Sequence, residues 1–122
     1  METTKTVKSL RTYQNTTYQQ VMDLRAKLAK QATDGTYLKT VSRTLMEIAE
    51  LEAQVGVYEA AALFMEYAND IPIHEWAFQL LESGADDQWS GRGNDFQRAT
   101  YDGKREAAKR VISVVRTWGE GL

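Results

Sequence analysis

The sequence predicts an all-α fold in a single domain, residues 1–122, and three observations carry that reading. Apolar residues recur at three- and four-residue steps through most of the chain, the period of a helix with one buried face. Pro72 is the one proline in 122 residues, which suits long helices and poorly suits a loop-rich β fold. Helix-breaking residues are concentrated in a few short stretches. The length serves one hydrophobic core and not comfortably two. The expected architecture is a long helical hairpin plus two further helices, dimerising through the long helices.

The first helix is predicted from about Val7 to Ala32. Val7, Leu10, Val21, Leu24 and Leu28 supply its apolar seam. Gln14 and Thr17 interrupt that seam, so looser packing is expected in the middle. Thr33-Asp34-Gly35-Thr36 reads as a turn, with Gly35 providing the permissive backbone. A longer helix follows from about Tyr37 to Tyr67. Leu38, Val41, Leu45, Ile48 and Val55 form one stripe, and Leu51, Tyr58, Ala62 and Met65 an adjoining one. About 30 residues at 1.5 Å each span roughly 45 Å. A compact chain of this length has a radius of gyration of about 14 Å. Either Gly56 breaks the helix, or it protrudes and packs against a second chain.

Asn69-Asp70-Ile71-Pro72 marks an end and a restart, since Asp70 can cap and proline fits a first turn. A short helix from about Ile73 to Leu81 follows, with Trp76, Phe78, Leu80 and Leu81 as its apolar surface, and Ser83-Gly84 ends it. Residues 85–93 form the longest irregular stretch. The last helix starts near Asn94 or Asp95 and runs to about Trp118. Its core stripe reads Phe96, Thr100, Gly103, Ala107, Val111, Val114 and Trp118. Gly103 on that stripe lets another helix approach closely.

Composition removes several function classes. Cysteine is absent, so a disulfide scaffold and thiolate metal sites are excluded, and a reducing, cytoplasmic setting is expected. The opening residues carry no signal-peptide apolar run, and no stretch of about 18 apolar residues exists to span a membrane. His74 is the one histidine, beside Glu75 at a helix start, where a surface or capping role is expected rather than a catalytic or metal-binding one. No catalytic motif is present, so the chain reads as a binding protein and not an enzyme, with no cofactor.

The signal for a ligand lies around the start of the last helix. Two glycines flank an arginine in Ser90-Gly91-Arg92-Gly93-Asn94-Asp95, and a helix follows at once. Backbone N–H groups there can converge on a phosphate or carboxylate, helped by the helix dipole. The loop matches neither a Walker sequence nor a dinucleotide fingerprint, and it also reads as a plain turn. Below it, Arg98, Arg105, Lys109 and Arg116 lie within roughly 20° of one line at about 100° per residue. From Arg92 to Trp118 seven Lys and Arg face three acids, a local +4 in a chain of net −2. A basic ridge on a helix is also an ordinary solvated face. Arginine suits phosphate through its planar fork, and Trp89, Phe96 or Tyr101 can stack on a base. The overall negative charge disfavours nucleic acid, which needs a wide positive surface. It leaves room for a small phosphorylated ligand in a local pocket. Arg25, Lys27 and Lys30 form a second basic cluster, placed either to meet the glycine loop or to favour a helix C-terminus.

Two resemblances follow from these residues. The segment from Asp87 through Arg98, continued by Tyr101-Asp102-Gly103 and the basic helix, resembles the C-terminal part of the first type of anti-Thoeris protein, a family of small phage counter-defence proteins. That resemblance covers the C-terminal third. It implies a sponge in an infected bacterial cell, sequestering a cyclic ADP-ribose-type signal or a cyclic oligonucleotide without cleaving it. It also implies that Asn94 and an arginine of the last helix hold ribose and phosphate while Phe78, Trp89 or Phe96 stacks on adenine. The expected ligand-binding set is therefore Trp89, Ser90, Gly91, Arg92, Gly93, Asn94, Arg98, Arg105, Lys109 and Arg25. Separately, Glu47-Ile48-Ala49-Glu50 resembles the first acidic pair of MazG-type all-α nucleotide pyrophosphohydrolases, which bind Mg²⁺ between helices. The second half, Glu66-Tyr67-Ala68-Asn69-Asp70, is one residue too long, and octahedral Mg²⁺ tolerates such slippage poorly. The remaining alternative is a phage-type helical inhibitor, anti-CRISPR-like, acting through protein–protein contact.

Overall fold

The computed structural model describes residues 2–67, 73, 75–80 and 95–118. Among them there is no strand, and the helices are α1 (Glu2–Thr33), α2 (Leu38–Tyr67), a short α3 at 75–80 and α4 (Asp95–Trp118). No helix of the described residues is long and apolar enough to cross a membrane. The expected ends at Asn69–Pro72 and Ser83–Gly84, the irregular stretch 85–93 and His74 lie outside the described residues.

α1 stops where the sequence places its stop. Gly35 adopts a left-handed φ of 70°, a conformation that carries almost no cost without a Cβ. The Thr36 amide then donates to the Gln31 carbonyl at 3.1 Å and the Asp34 amide to Lys30 at 2.9 Å. The six-to-one bond ending on a left-handed glycine is the Schellman way of satisfying the last helical carbonyls. Two residues later α2 begins, so α1 and α2 form the expected antiparallel hairpin. α2 runs unbroken through Gly56. Of the two sequence expectations for that position, continuity is what the structure has.

α4 completes the bundle against α2 and, less extensively, α1. Leu10, Tyr58, Ala61, Ala62, Val111 and Val115 are fully buried together, and Ile73 and Ala77 of the α3 region close one end. Phe64 and Trp76 stack at 5.7 Å between ring centroids. Burial of each such Val or Leu contributes about 1.5–3 kcal/mol. Glycine at 103 sets the α2–α4 approach. A Cβ there would penetrate the Glu50 carbonyl and lie 3.0 Å from the Ala53 methyl.

Three packing expectations need correction. Thr17 is buried rather than a gap in the α1 seam; its methyl packs although its hydroxyl is polar. Phe96 is 55 % exposed, because burial on α4 begins only at Gly103, two turns further along. Leu38 and Leu45 are exposed too, since α4 covers a different side of α2 from the one they occupy.

Candidate functional site

Two surface hollows among the described residues gather charged side chains. The larger, about 560 Å³, is lined on α1 by Lys5, Lys8, Ser9, Thr12 and Tyr13. These positions follow the i, i+3, i+4, i+7 rule, so among the described residues one face of α1 supplies the lining, most of it apolar surface. Two cations, two hydroxyls and an aromatic ring therefore share one concavity. Its volume falls in the range of about 300–1,000 Å³ usual for small-molecule sites. Thr12 donates its hydroxyl to the Lys8 carbonyl at 3.0 Å, which leaves its oxygen lone pairs as acceptors.

Tyr13 is fixed from behind. Its ring stacks on Tyr58 at 5.6 Å and 30°, and the Arg110 guanidinium lies 5.3 Å from its centroid. Arg110 also donates to the Tyr58 hydroxyl at 2.9 Å. Burial raises the Tyr58 pKa, and Arg110 acts against that rise, so the phenol stays protonated at neutral pH. An aromatic wall held by two neighbours loses little side-chain entropy when a ligand binds.

The smaller hollow, about 250 Å³, lies where α2 and α4 converge. Arg43, Met46, Glu47 and Glu50 line it from α2, and Asp95, Arg98, Ala99 and Asp102 from α4. Four acids against two arginines make it negative. Glu50 shows the consequence: its pKa is raised, first by burial and then by the nearby Asp102, Glu106 and Glu47 charges.

The sequence-predicted site residues separate between these surroundings. Trp89, Ser90, Gly91, Arg92, Gly93 and Asn94 lie outside the described residues. Arg98 lines the acidic hollow. Arg105 and Lys109 are exposed on the outer face of α4, and Arg105 donates to the Tyr101 hydroxyl at 3.2 Å. Arg25 pairs with Glu52 across the α1–α2 hairpin. The ridge residues Arg98, Arg105, Lys109 and Arg116 are all exposed. Sequence reasoning missed Lys5, Lys8, Ser9, Thr12 and Tyr13. Their signal was the helical spacing of the polar face of α1, opposite the apolar seam.

Of the acids in the pyrophosphohydrolase resemblance, Asp70 lies outside the described residues, and Glu66 does not join Glu47 and Glu50. Glu47 and Glu50 line the acidic hollow, whereas Glu66 accepts from Arg11 at 3.3 Å on the hairpin. Among the described residues no group of three or more acids and histidines is arranged to hold a metal ion. No protein-family model, curated protein or solved structure matches the chain.

Proposed function

We propose that this chain binds and sequesters a small anionic nucleotide, of the cyclic ADP-ribose or cyclic oligonucleotide kind, without cleaving it. In the setting implied by the resemblance it acts as a phage anti-defence protein. The observation that carries the reading is the α1 hollow. It offers lysine cations for phosphate, hydroxyls for ribose and a braced tyrosine for a base, in a volume suited to such a ligand. The glycine loop and the basic ridge of α4 remain a second candidate for the same chemistry. The active form is proposed to be a homo-oligomer.

Calorimetry with cyclic ADP-ribose isomers and cyclic dinucleotides tests the proposal. Each charge-assisted hydrogen bond contributes about 1.5–3 kcal/mol net. Removing both cations in Lys5→Ala plus Lys8→Ala then weakens binding by about 100-fold or more. If Arg92→Ala plus Asn94→Ala causes that loss and the lysine pair does not, the site is the glycine loop. Absence of heat with every nucleotide, for folded protein, rejects the proposal.

A second reading has one observation in its favour. Tyr37 and Leu38 at the hairpin tip are 86 % and 81 % exposed, the kind of projecting apolar pair that anchors a protein interface. An inhibitor acting by surface contact would use that tip. Capture of a partner that is lost on Tyr37→Ser plus Leu38→Ser, and indifferent to Lys5→Ala plus Lys8→Ala, separates the two readings.

A further inference from the structure

We infer that the α1–α2 hairpin pairs with a second copy of this chain through the face it turns away from α4. The inference is independent of the ligand reading. On α1, Tyr13 meets Arg110 of α4. Met22, nine residues on, points roughly 180° away at about 100° per residue, and Tyr18 roughly 140° away. On α2, Leu45, Gly56 and Leu63 lie within roughly 20° of one line, and Leu63 is roughly 140° round from Tyr58. Tyr18, Met22, Leu45 and Leu63 are all exposed large apolar side chains.

The hairpin register brings most of them together. Arg11 pairs with Glu66 and Arg25 with Glu52, so residue numbers on facing turns add to 77. Met22 therefore lies level with Val55 and Gly56, and Tyr18 level with Glu59. The patch is centred on Tyr18, Met22, Gly56 and Leu63, with an ion pair at each end.

Gly56 supplies an independent clue. A Cβ on it would meet nothing within 4 Å, so no neighbour in its own chain requires a glycine. Mid-helix glycine nonetheless costs about 1 kcal/mol relative to alanine. Close approach of another chain accounts for that cost.

Charge selects the occupant and its orientation. On this face α1 carries the cations Arg11 and Arg25 and α2 the acids Glu52, Glu59 and Glu66, while Lys5 and Lys8 line the hollow on another side of α1 and Glu47 and Glu50 face α4. A hairpin face with one basic and one acidic helix is self-complementary under a two-fold axis parallel to the helices. That axis lays α1 of one copy on α2 of the other at the same level. Arg25 then meets Glu52 of the second copy, Arg11 meets Glu66, and Met22 sits over the second copy's Gly56. A perpendicular axis in the same interface would stack basic α1 on basic α1. The favoured arrangement is an isologous four-helix layer, large side chains over small.

Sedimentation measures the outcome. Wild type is expected at twice the 13.8 kDa chain mass at about 100 µM, where a Kd of micromolar order populates the dimer. Gly56→Gln is expected to keep its helical circular dichroism and sediment as a single chain at that concentration. The orientation is read from disulfides, because the chain has no native cysteine. Met22→Cys protein mixed with Gly56→Cys protein is expected to give the mixed cross-link in preference to either like-with-like product. A wild-type monomer, a dimer unaffected by Gly56→Gln, or Met22→Cys protein cross-linked to itself in place of the mixed product overturns the inference.

Discussion

The hollow on α1 and the hollow between α2 and α4 both place charged side chains on helix faces, yet their described linings carry opposite net charge. Among the described residues, the first combines two lysines with hydroxyls and a ring, all from α1. The second gathers Glu47, Glu50, Asp95 and Asp102 around Arg43 and Arg98 where two helices converge. The described parts of the two linings differ in origin. A single helix face displays whatever sign its sequence repeats. A crossing of two helices forces together charges that are separately harmless, and Glu50 registers that crowding in its raised pKa. Net charge of the whole chain therefore says little about which surface an anion will find.

The largest effect tests the crossing itself. Gly103→Leu places a side chain where even a Cβ overlaps the Glu50 carbonyl. Such overpacking costs about 3 kcal/mol and lowers Tm by roughly 10 °C, measured by circular dichroism. Lys8→Ala on the exposed face of α1 is expected to change Tm by under about 2 °C. Equal losses in the two variants would show that the α2–α4 approach is not the tighter constraint.

Next in size is the reversal of sign in the α1 hollow. Lys5→Glu plus Lys8→Glu turns its wall negative, like its counterpart. It is expected to abolish nucleotide heat in calorimetry, a fall in affinity beyond about 100-fold, with Tm nearly unchanged because both sites face solvent. Retained binding would move the ligand to another surface.

How much of this contrast was legible in the sequence follows from what a period encodes. Spacing located α1, α2 and α4 to within a few residues, the left-handed stop at Gly35, and the close approach at Gly103, because each is a local rule. It misplaced Phe96, Leu38 and Leu45 as core, since an apolar stripe states that a face wants cover and not which neighbour supplies it. The candidate site suffered the same limit. Lys5, Lys8, Ser9 and Thr12 look like any solvated face until tertiary shape makes that face concave. Arg98 looks like part of a cationic line until α2 brings Glu47 and Glu50 beside it.

A smaller effect follows from Glu50. Burial and like charge raise its pKa in the folded chain, so the folded state holds the proton more tightly than the unfolded state does. The corresponding stability is complete below the ordinary carboxylate pKa and is lost as pH rises through the raised value. Glu50→Gln removes that loss. Its Tm is expected above wild type at pH 7 and level with it near pH 4. A gain of equal size at both pH values would assign the effect to packing rather than charge.

The smallest expected change comes from Arg98→Ala, and it is the sharpest test of the contrast. Arg98 belongs to the basic ridge by spacing and to the acidic hollow by position. If position governs, four acids already compete for its charge, and little field remains to draw an anion. Nucleotide affinity then stays within about twofold of wild type. The stability cost is under about 1 kcal/mol, as for other exposed charges, and shrinks further in high salt. A tenfold loss of affinity, with Tm held, would instead mean that the ridge acts as one cationic surface despite the carboxylates beneath it. The two hollows would then differ in shape and not in the ligand they favour.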